Sequence, residues 1–520
     1  FMRYSNLKKL AAVVLSIGMV FSSSAVTGFS ADNSKMIPTI VESSYSQAAA
    51  NIDDEYAYDG TYVDKWGDTC KGSQLGVTYT KDATEFNIWA PAATGVKVNI
   101  YEAGAGNACK IGSYTLEKVS SSKEWNGIWT ITLVGNWGDY YYDYTITTTD
   151  AYHKDSNQTQ TYNIQDPYSI AVSEDGKYSY ITDTSTISPE GWDNDRHVYV
   201  DSTKANTVYR ISVKDFSSDA ESGMTAGGKY SAFTQEGAKV NSAGELVSGI
   251  DYLKELGVTT VQLAPFADYE ADSEYEILNY NAPETSYASN PSNCKAVIKE
   301  CKEMIQALHN AGFSVVMEMP YTHASEENSL EKSVPGFFYR INNSGGRYTT
   351  NTGYGNEFAT ERKMYRIYMV NSMKYWAEEY HMDGFSLDLI DCVNMKYRGA
   401  SRVYKWLDEI KKSLAEEDAN LVIWGDNYTK EERQNKTSVY DEIIGTTGGT
   451  YGDRNEKAVK IYKQKAAMKY ATPGTLFMDG GEEMCNSVKE TGSSYLEWKD
   501  SADYADVVSY YRGLMQIRKA

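Results

Sequence analysis

The sequence lacks the features that would build a disulfide scaffold or a metal site. Six cysteines in 520 residues are too few for a disulfide-stabilised fold. Cys294 and Cys301 are about 10 Å apart if helical, too far for a bridge, whereas Cys70 and Cys109 could pair although nothing requires it. No CxxC or HExxH spacing occurs, so we predict no metal and no cofactor.

Positive charge is also in short supply. The 50 lysines and arginines face 71 aspartates and glutamates, which gives a net charge of -21 and a pI close to 4.8. Such a surface repels nucleic acid and anionic membranes, so neither is predicted as a partner and a neutral substrate fits better. The 44 tyrosines against 13 phenylalanines provide aromatic faces suited to sugar rings, although an ordinary Tyr-rich secreted protein explains them equally well.

Long apolar runs are missing except near the N-terminus. There, basic residues precede LAAVVLSIGMVF at 10–21, and small residues follow it. This order predicts a signal peptide over 1–31, cleaved after Ala25 or Gly28, and the apolar run is too short to anchor in a bilayer. We therefore expect a secreted, extracellular protein with no membrane span in the mature chain.

Two patterns of secondary structure divide the rest of the chain. After a polar linker or tail at 32–58, residues 59–188 contain short β-rich runs between turn signals, which predicts a β-sandwich. From 189 to 520, apolar strand-like runs alternate with amphipathic helices, which predicts βα units around a parallel sheet. At least six such units favour an α/β fold of the (β/α)8 TIM-barrel type, and no glycine-rich phosphate loop supports a doubly wound sheet.

The barrel is expected to be incomplete around its seventh unit. About 48 residues separate Asp426 from Gly474, where two βα units of roughly 30 residues each would be needed. SVYDEIIG at 438–445 is a candidate for one short strand, and no convincing second strand is found. Because the chain stops in an apparent helix, we also expect the barrel region to be truncated at its C-terminus.

Polar residues stand at the carboxyl ends of the predicted strands, where barrels of this type place their active sites. Glu318 and His323 follow one strand, Asp388 ends the next, and Asp426 ends the one after. Retaining glycoside hydrolysis needs two carboxyl groups about 5 Å apart, one as nucleophile and one as acid and then base. For any one of these acids taken alone, capping of the following helix is the more ordinary explanation.

Longer stretches resemble the α-amylase superfamily of glycoside hydrolases, and within it the type I pullulanases, which cleave α-1,6 branch links. FNIWAPAATGVKVNIYE and YNIQDPYSIAVSEDGK resemble the family's glucan-binding sandwich. YRISVKDF, GIDYLKELGVTTVQLAPFADY and EKSVPGFFYR resemble its barrel. The resemblance covers nearly the whole mature chain and implies an α-glucan partner such as starch, glycogen or pullulan.

The catalytic motifs depart from the family's pattern. GFSLDL stands for GFRFDL, which places Asp388 at the nucleophile position and Ser386 where an arginine orients that nucleophile. WGDNY places Asp426 at the acid/base glutamate, one methylene short, and a misplacement of about 1 Å can cost about 10²-fold in rate. EMPYTH keeps the tyrosine and histidine of DVVYNH as Tyr321 and His323, but Glu318 replaces its aspartate.

Two further motifs are reduced. ADSEYEILNY keeps Tyr275, which the resemblance implies stacks under the glucose at the cleavage site, but loses the tryptophan, glycine and proline of YNWGYDPLNY. The family's His-Asp pair, which grips the 2- and 3-hydroxyls of the sugar, has no clear counterpart. TYGDRNEK at 450–457 is a candidate remnant, which makes Asp453 the candidate third carboxylate.

Departures that cluster at catalytic positions, beside well-kept framework segments, favour a retained scaffold with altered chemistry. We therefore expect a pullulanase-like protein that binds α-glucan, with hydrolysis weak or lost. One alternative is an active α-1,6 debranching or other retaining hydrolase that uses Asp388 and Asp426. The other is a structural or partner-binding protein that has lost sugar recognition. The separation of the two carboxylates bears on the choice between binding and hydrolysis.

Overall fold

The computed structural model contains an antiparallel β-sandwich followed by a partial parallel-strand barrel. It describes Tyr56, Tyr58 and residues 61–63, 69–71, 74–104, 109–119, 126–149, 159–201, 203–270, 273–325, 328–341, 348–349, 356–390, 406–426, 438–448, 454–486 and 496–520. The predicted signal peptide, most of the predicted linker and Asp453 lie outside these residues. Within the described ranges, no helix is long and apolar enough to cross a membrane.

The sandwich is built from β-branched and aromatic runs whose side chains alternate between its two faces. Its four-stranded sheet contains, in spatial order, Gly76–Tyr79, Ala83–Trp89, Ile128–Val134 and Glu117–Lys118. Its five-stranded sheet contains Thr159–Ile164, Tyr141–Thr149, Ala93–Tyr101 and Lys110–Thr115, with Ser179–Tyr180 paired to the second of these. The core between the sheets includes Phe86, Val98 and Tyr144.

Cys109, whose pairing with Cys70 the sequence leaves open, is a free cysteine.

Aromatic packing joins the sandwich to the barrel. The buried ring of Trp89 lies 5.1 Å from the ring of Phe337 and 5.8 Å from that of Phe338, both edge to face. Its Nε1 donates a hydrogen bond to the Tyr56 carbonyl at 2.9 Å. Edge-to-face pairs add about 1 kcal/mol each beyond the buried area, so this contact links the two regions through one hydrophobic core.

Six parallel strands form the barrel sheet. They are β1 (Thr207–Ile211), β2 (Thr260–Leu263), β3 (Ser314–Met319), β4 (Gly384–Leu387), β5 (Val422–Gly425) and β6 (Leu476–Asp479). Their order in the sheet is β5-β4-β3-β2-β1-β6, and every neighbouring pair is parallel. All residues of β2, β3 and β4 are buried, as the continuous apolar runs of a sheet covered on both faces require.

Helices connect the strands, and their amphipathic spacing predicts most of them. The longer ones are Gly249–Leu256, Cys294–Asn310, Lys363–Tyr380, Trp406–Ala415, Val439–Thr447, Glu456–Tyr470 and Ala505–Lys519. The shorter ones are Val213–Ser217, Ser329–Ser333 and Asp500–Asp503. Asn293 fixes the start of one long helix, because its side chain accepts a hydrogen bond from the Ala296 amide at 3.2 Å.

The sheet does not close between β5 and β6 within the described residues, which confirms the expectation of an incomplete barrel. The strand predicted for SVYDEIIG is wrong, because this segment forms the helix Val439–Thr447. Ser438 caps that helix by accepting a hydrogen bond from the Asp441 amide at 3.1 Å, and acidic residues occupy its first turn. This N-terminal cap outweighs the β-propensity of the short apolar run.

A network of histidines and aspartates lies at the amino-terminal ends of β3 and β4. The buried Asp383 carboxylate lies 3.0 Å from both His197 Nδ1 and His309 Nε2. The Asp195 carboxylate lies 2.9 Å from His309 Nδ1 and 2.7 Å from His381 Nδ1. Three of the five histidines in the chain therefore serve the framework rather than the site.

The charge on His309 makes stability depend on pH. Burial lowers the pKa of His309, but hydrogen bonds and attraction from Asp195 and Asp383 outweigh it and raise the pKa from 6.5 to about 9. Because the folded pKa is the higher one, this contribution is complete below about pH 6.5 and is lost as pH rises through about 9. We expect thermal unfolding scans to show a falling Tm over this window, and a much shallower fall for His309→Gln. Parallel declines in the two proteins would contradict the assignment.

Candidate functional site

The side chains of the candidate site come from alternate residues of the barrel strands, which share one face of the sheet. Two rows of register partners supply this face: Asp479, Arg210 and Gln262 form the first, and Glu318, Ser386 and Trp424 form the second. Asp388 and Asp426 lie two residues beyond Ser386 and Trp424, at the carboxyl ends of β4 and β5. The barrel thereby gathers residues that are up to 269 positions apart, from 210 to 479.

Three carboxylates meet at the carboxyl ends of β3, β4 and β5. Oxygens of Glu318, Asp388 and Asp426 all lie within 4.8 Å of one another. The Asp388 amide donates to the Met319 carbonyl at 3.2 Å, and the Asp426 amide donates to the Leu387 carbonyl at 3.3 Å. The strand ladder thus continues one residue past each strand and holds both aspartates. This upper bound on the distance between their nearest oxygens is compatible with the spacing of about 5 Å between the carboxyl groups of a retaining pair.

The three acids differ in their exposure to solvent. Glu318 is 0% exposed and Asp388 is 1% exposed, whereas Asp426 is partly buried. A carboxylate taken out of water costs several kcal/mol unless charges or hydrogen bonds compensate it. Near Asp388, His323 Nδ1 lies 3.9 Å from Oδ2, which is beyond hydrogen-bond distance. Asp388, which the sequence predicts as the nucleophile, therefore has almost no surface open to a sugar.

Arg210 on β1 balances the charge of Glu318. Its Nε donates to Oε2 at 2.7 Å and its Nη2 donates to Oε1 at 3.1 Å, a two-point contact that is stronger than either bond alone. Its Nη1 lies 3.7 Å from the Asp479 carboxylate. Burial lowers the pKa of the Arg210 guanidinium, but attraction from Glu318 outweighs it, and the pKa stays well above its ordinary value.

Tyr275, Gln262 and Trp424 complete this network. The Tyr275 hydroxyl donates to Glu318 at 2.8 Å and accepts a hydrogen bond from Arg210. The Gln262 amide donates to Glu318 at 3.2 Å and accepts from the Trp424 indole N–H at 2.8 Å. Glu318 therefore has hydrogen-bond donors on both oxygens. Tyr275, which is 8% exposed, is held by its hydroxyl end.

His323 and Tyr321 follow β3 but have different surroundings. His323 Nε2 donates to the Tyr275 carbonyl at 3.0 Å, since a carbonyl can only accept, and Nδ1 lies 3.1 Å from the Thr322 hydroxyl. Tyr321 is fully buried, stacks on Tyr280 with ring centroids 5.3 Å apart, and bonds the Ser372 hydroxyl at 2.8 Å. His323 therefore supports the site, whereas Tyr321, predicted to bind substrate, packs in the core.

The structure gathers most of the residues that the sequence singles out, but it adds four others. Glu318, Asp388, Asp426, Ser386, Tyr275 and His323 lie together, and Asp453 lies outside the described residues. Sequence reasoning misses Arg210, Gln262, Trp424 and Asp479. Arg210 in TVYRIS and Gln262 in TVQLAP interrupt apolar strands just as Asp388 does, so the same signal could have found them.

One group in the described part of the chain has carboxylates close enough to hold a metal ion, namely Glu318, Asp388 and Asp426. The sequence predicts no metal, because it has no CxxC or HExxH spacing. The guanidinium of Arg210 already donates to both oxygens of Glu318, so a metal ion would compete with it for those oxygens. We therefore treat the cluster as a charge network that includes its own cation.

A β-sandwich in front of a parallel-strand barrel, with acids at the carboxyl ends of the strands, is the architecture of a multi-domain barrel glycoside hydrolase. Comparison with known families agrees. Carbohydrate-binding module 48 (isoamylase N-terminal domain) matches residues 74–169, and the alpha amylase catalytic domain matches residues 234–336.

Known relatives extend the match over more of the chain. The chain is 32% identical to the pullulanase of Bacillus subtilis (strain 168) over 358 residues, which are 66% of this chain and 45% of that protein. It is 26% identical to the chloroplastic pullulanase 1 of Arabidopsis thaliana over 422 residues, 72% of this chain and 40% of that one. The chain therefore spans less than half the length of these two relatives.

Solved structures show the same fold. The pullulanase from Bacillus acidopullulyticus is similar with a TM-score of 0.76 and 27% identity, over 90% of this chain and 64% of that one. The pullulanase from Paenibacillus barengoltzii, in complex with maltohexaose and alpha-cyclodextrin, gives a TM-score of 0.77 at 24% identity, over 90% and 82%. The chain thus matches the models of carbohydrate-binding module 48 and of the alpha amylase catalytic domain, and it is similar in sequence and fold to pullulanases.

Proposed function

We propose that this protein binds α-glucan chains, such as starch, glycogen or pullulan, and that its hydrolysis of them is weak or lost. The observation that carries this proposal is the burial of Asp388, which is 1% exposed at the nucleophile position and has Ser386 beside it in place of an arginine. The match to a carbohydrate-binding module and the net charge of -21 support a neutral polysaccharide as ligand. The signal-peptide pattern at 1–31 supports action outside the cell.

The carboxylate spacing favours a second candidate, slow retaining hydrolysis of an α-glucan. Asp388 would attack the anomeric carbon, while Asp426 protonates the leaving oxygen and later takes a proton from water. Oxygens of the two side chains lie within 4.8 Å of each other, which is compatible with the close carboxylate pair of this mechanism. Reducing-sugar release from pullulan, amylopectin and starch tests it, and no release even at high protein concentration would exclude it.

Native gels cast with amylopectin test the binding proposal. The wild-type protein should be retarded, and Tyr275→Ala should weaken the retention about tenfold, because it removes both an aromatic face and a hydrogen bond to Glu318. Tyr275→Phe is the matched control, since it keeps the ring and should lose less.

Two gel results would contradict part of the binding proposal. A wild-type protein with unaltered mobility in amylopectin and in glycogen would argue against glucan binding and leave the structural role. If Tyr275→Ala is retarded as strongly as the wild type, the sandwich rather than the barrel is the binding surface.

A further inference from the structure

We propose that Arg210 is a positioning residue of the carboxylate site, and that it supplies from β1 the cation that Ser386 no longer supplies from β4. The contribution of Arg210 to glucan binding rests on the proposed function. Its role in holding Glu318 and Tyr275 does not. Arg210 touches Glu318 and Tyr275 and acts through them.

The register of the sheet explains how one cation can replace the other. Residue 386 is the register partner of Glu318, and it lies two residues before Asp388 on the same face of β4. A cation there would sit between the two carboxylates, but serine carries no charge. Arg210 stands two strands away on β1, and its guanidinium passes over β2 to reach both oxygens of Glu318. Arg210 therefore places a cation on Glu318, the register partner of position 386, from the β1 side of the sheet.

Electrostatics require such a cation. Three carboxylates within 4.8 Å repel one another, and the repulsion grows where water is excluded. Glu318 is the most buried of them, and Arg210 balances it with two charge-assisted hydrogen bonds. The cluster can thus keep its geometry even though the arginine that orients Asp388 in the family is absent.

The same guanidinium positions the candidate sugar-stacking ring. Arg210 donates to the Tyr275 hydroxyl, which in turn donates to Glu318 at 2.8 Å. The Tyr275 carbonyl accepts from His323, whose other ring nitrogen faces Asp388. Tyr275 is therefore held at both its hydroxyl and its backbone by groups of the carboxylate site. The Arg210 side chain is 25% exposed, so the network reaches solvent on the side of Asp479.

Moving the cation back to β4 tests the proposal. Arg210→Gln should lower Tm by about 5 to 10 °C, because it leaves a buried carboxylate uncompensated, and should weaken amylopectin retention about tenfold. Adding Ser386→Arg to Arg210→Gln should restore more than half of both losses. Adding Ser386→Gln instead, with similar bulk and no charge, should restore neither. Arg210→Lys should fall between wild type and Arg210→Gln, since an ammonium cannot make the two-point contact.

A further variant keeps the test decisive if Arg210→Gln does not fold. Arg210→Gln combined with Glu318→Gln removes both charges, and it should fold with a Tm above that of the single variant. An unchanged Tm and retention in Arg210→Gln, or equal rescue by Ser386→Gln and Ser386→Arg, would overturn the role of Arg210. A wild-type protein that amylopectin does not retard would overturn the proposed function instead, and the Tm comparison would still decide on Arg210.

Discussion

Replacing Asp383 by alanine should lower the Tm of the protein by about 10 °C. The Asp383 carboxylate accepts hydrogen bonds from the amides of Val315 at 2.7 Å and Val198 at 2.9 Å, and it faces His197 and His309. Burial raises the pKa of Asp383, but its hydrogen bonds with the two histidines outweigh it and lower the pKa, so the charged form is favoured. Removing one partner of such a buried pair costs about 3–5 kcal/mol, and each kcal/mol is worth about 2–4 °C in a large domain.

Thermal unfolding at pH 7 measures this effect, and Asp193→Asn is the control. Asp193 lies in the same segment as His197 but is exposed, so its replacement should move Tm by less than about 2 °C. A small change in Asp383→Ala would show that the network does not hold the amino-terminal ends of β3 and β4. Those strands carry Glu318 and Asp388, so the same variant should also weaken amylopectin retention.

If Asp388 and Asp426 act as in the hydrolytic candidate, lengthening Asp426 to glutamate should raise the release of reducing sugar from pullulan or amylopectin by about 10²-fold. The sequence predicts Asp426 at the position of an acid/base glutamate, one methylene shorter, and a proton donor misplaced by about 1 Å loses about that factor. Asp426 is also the most exposed of the three carboxylates, so a longer side chain there has room that Asp388 lacks. Asp388→Asn in the Asp426→Glu background should return the release to background.

The control for this gain is Asp503→Glu, which makes the same chemical change at an exposed position outside the barrel sheet. It should leave sugar release unchanged. Equal release from wild type and Asp426→Glu would show that the burial of Asp388, rather than the length of the acid, limits hydrolysis. That result would strengthen the binding proposal over the hydrolytic one.

The structure changes the expected effect of having serine rather than arginine at position 386. From the sequence, the loss of an arginine beside the nucleophile predicts a weakened site. In the fold, Glu318 still has a guanidinium on both oxygens, because Arg210 reaches it from β1. The carboxylates stay within 4.8 Å of one another, although Asp388 is almost completely buried. The site thus keeps a cation on Glu318 and keeps its carboxylates close together, but Asp388 has little surface open to a sugar.

Local patterns in the sequence were enough to predict the sandwich, the parallel-strand barrel and the gap in its sheet between β5 and β6 of the described residues. Periods of two and 3.6 residues depend on neighbours along the chain, so they predict strands and helices without knowledge of the fold. The rule that strand ends carry the site then picks out Glu318, Asp388 and Asp426. SVYDEIIG was predicted wrongly because a short apolar run suits a strand and a helix equally, and its cap decided the outcome.

Only the tertiary structure decided which side chains meet. Arg210 and Gln262 reach Glu318 because the register of β1, β2 and β3 aligns them, and register is a property of paired strands rather than of any one segment. The burial of Asp388 likewise depends on what packs around the end of β4. The sequence by itself therefore determined the architecture and the acids of the site. The cation on Glu318 was decided by a contact between residues 108 positions apart in the sequence, which only the fold brings together.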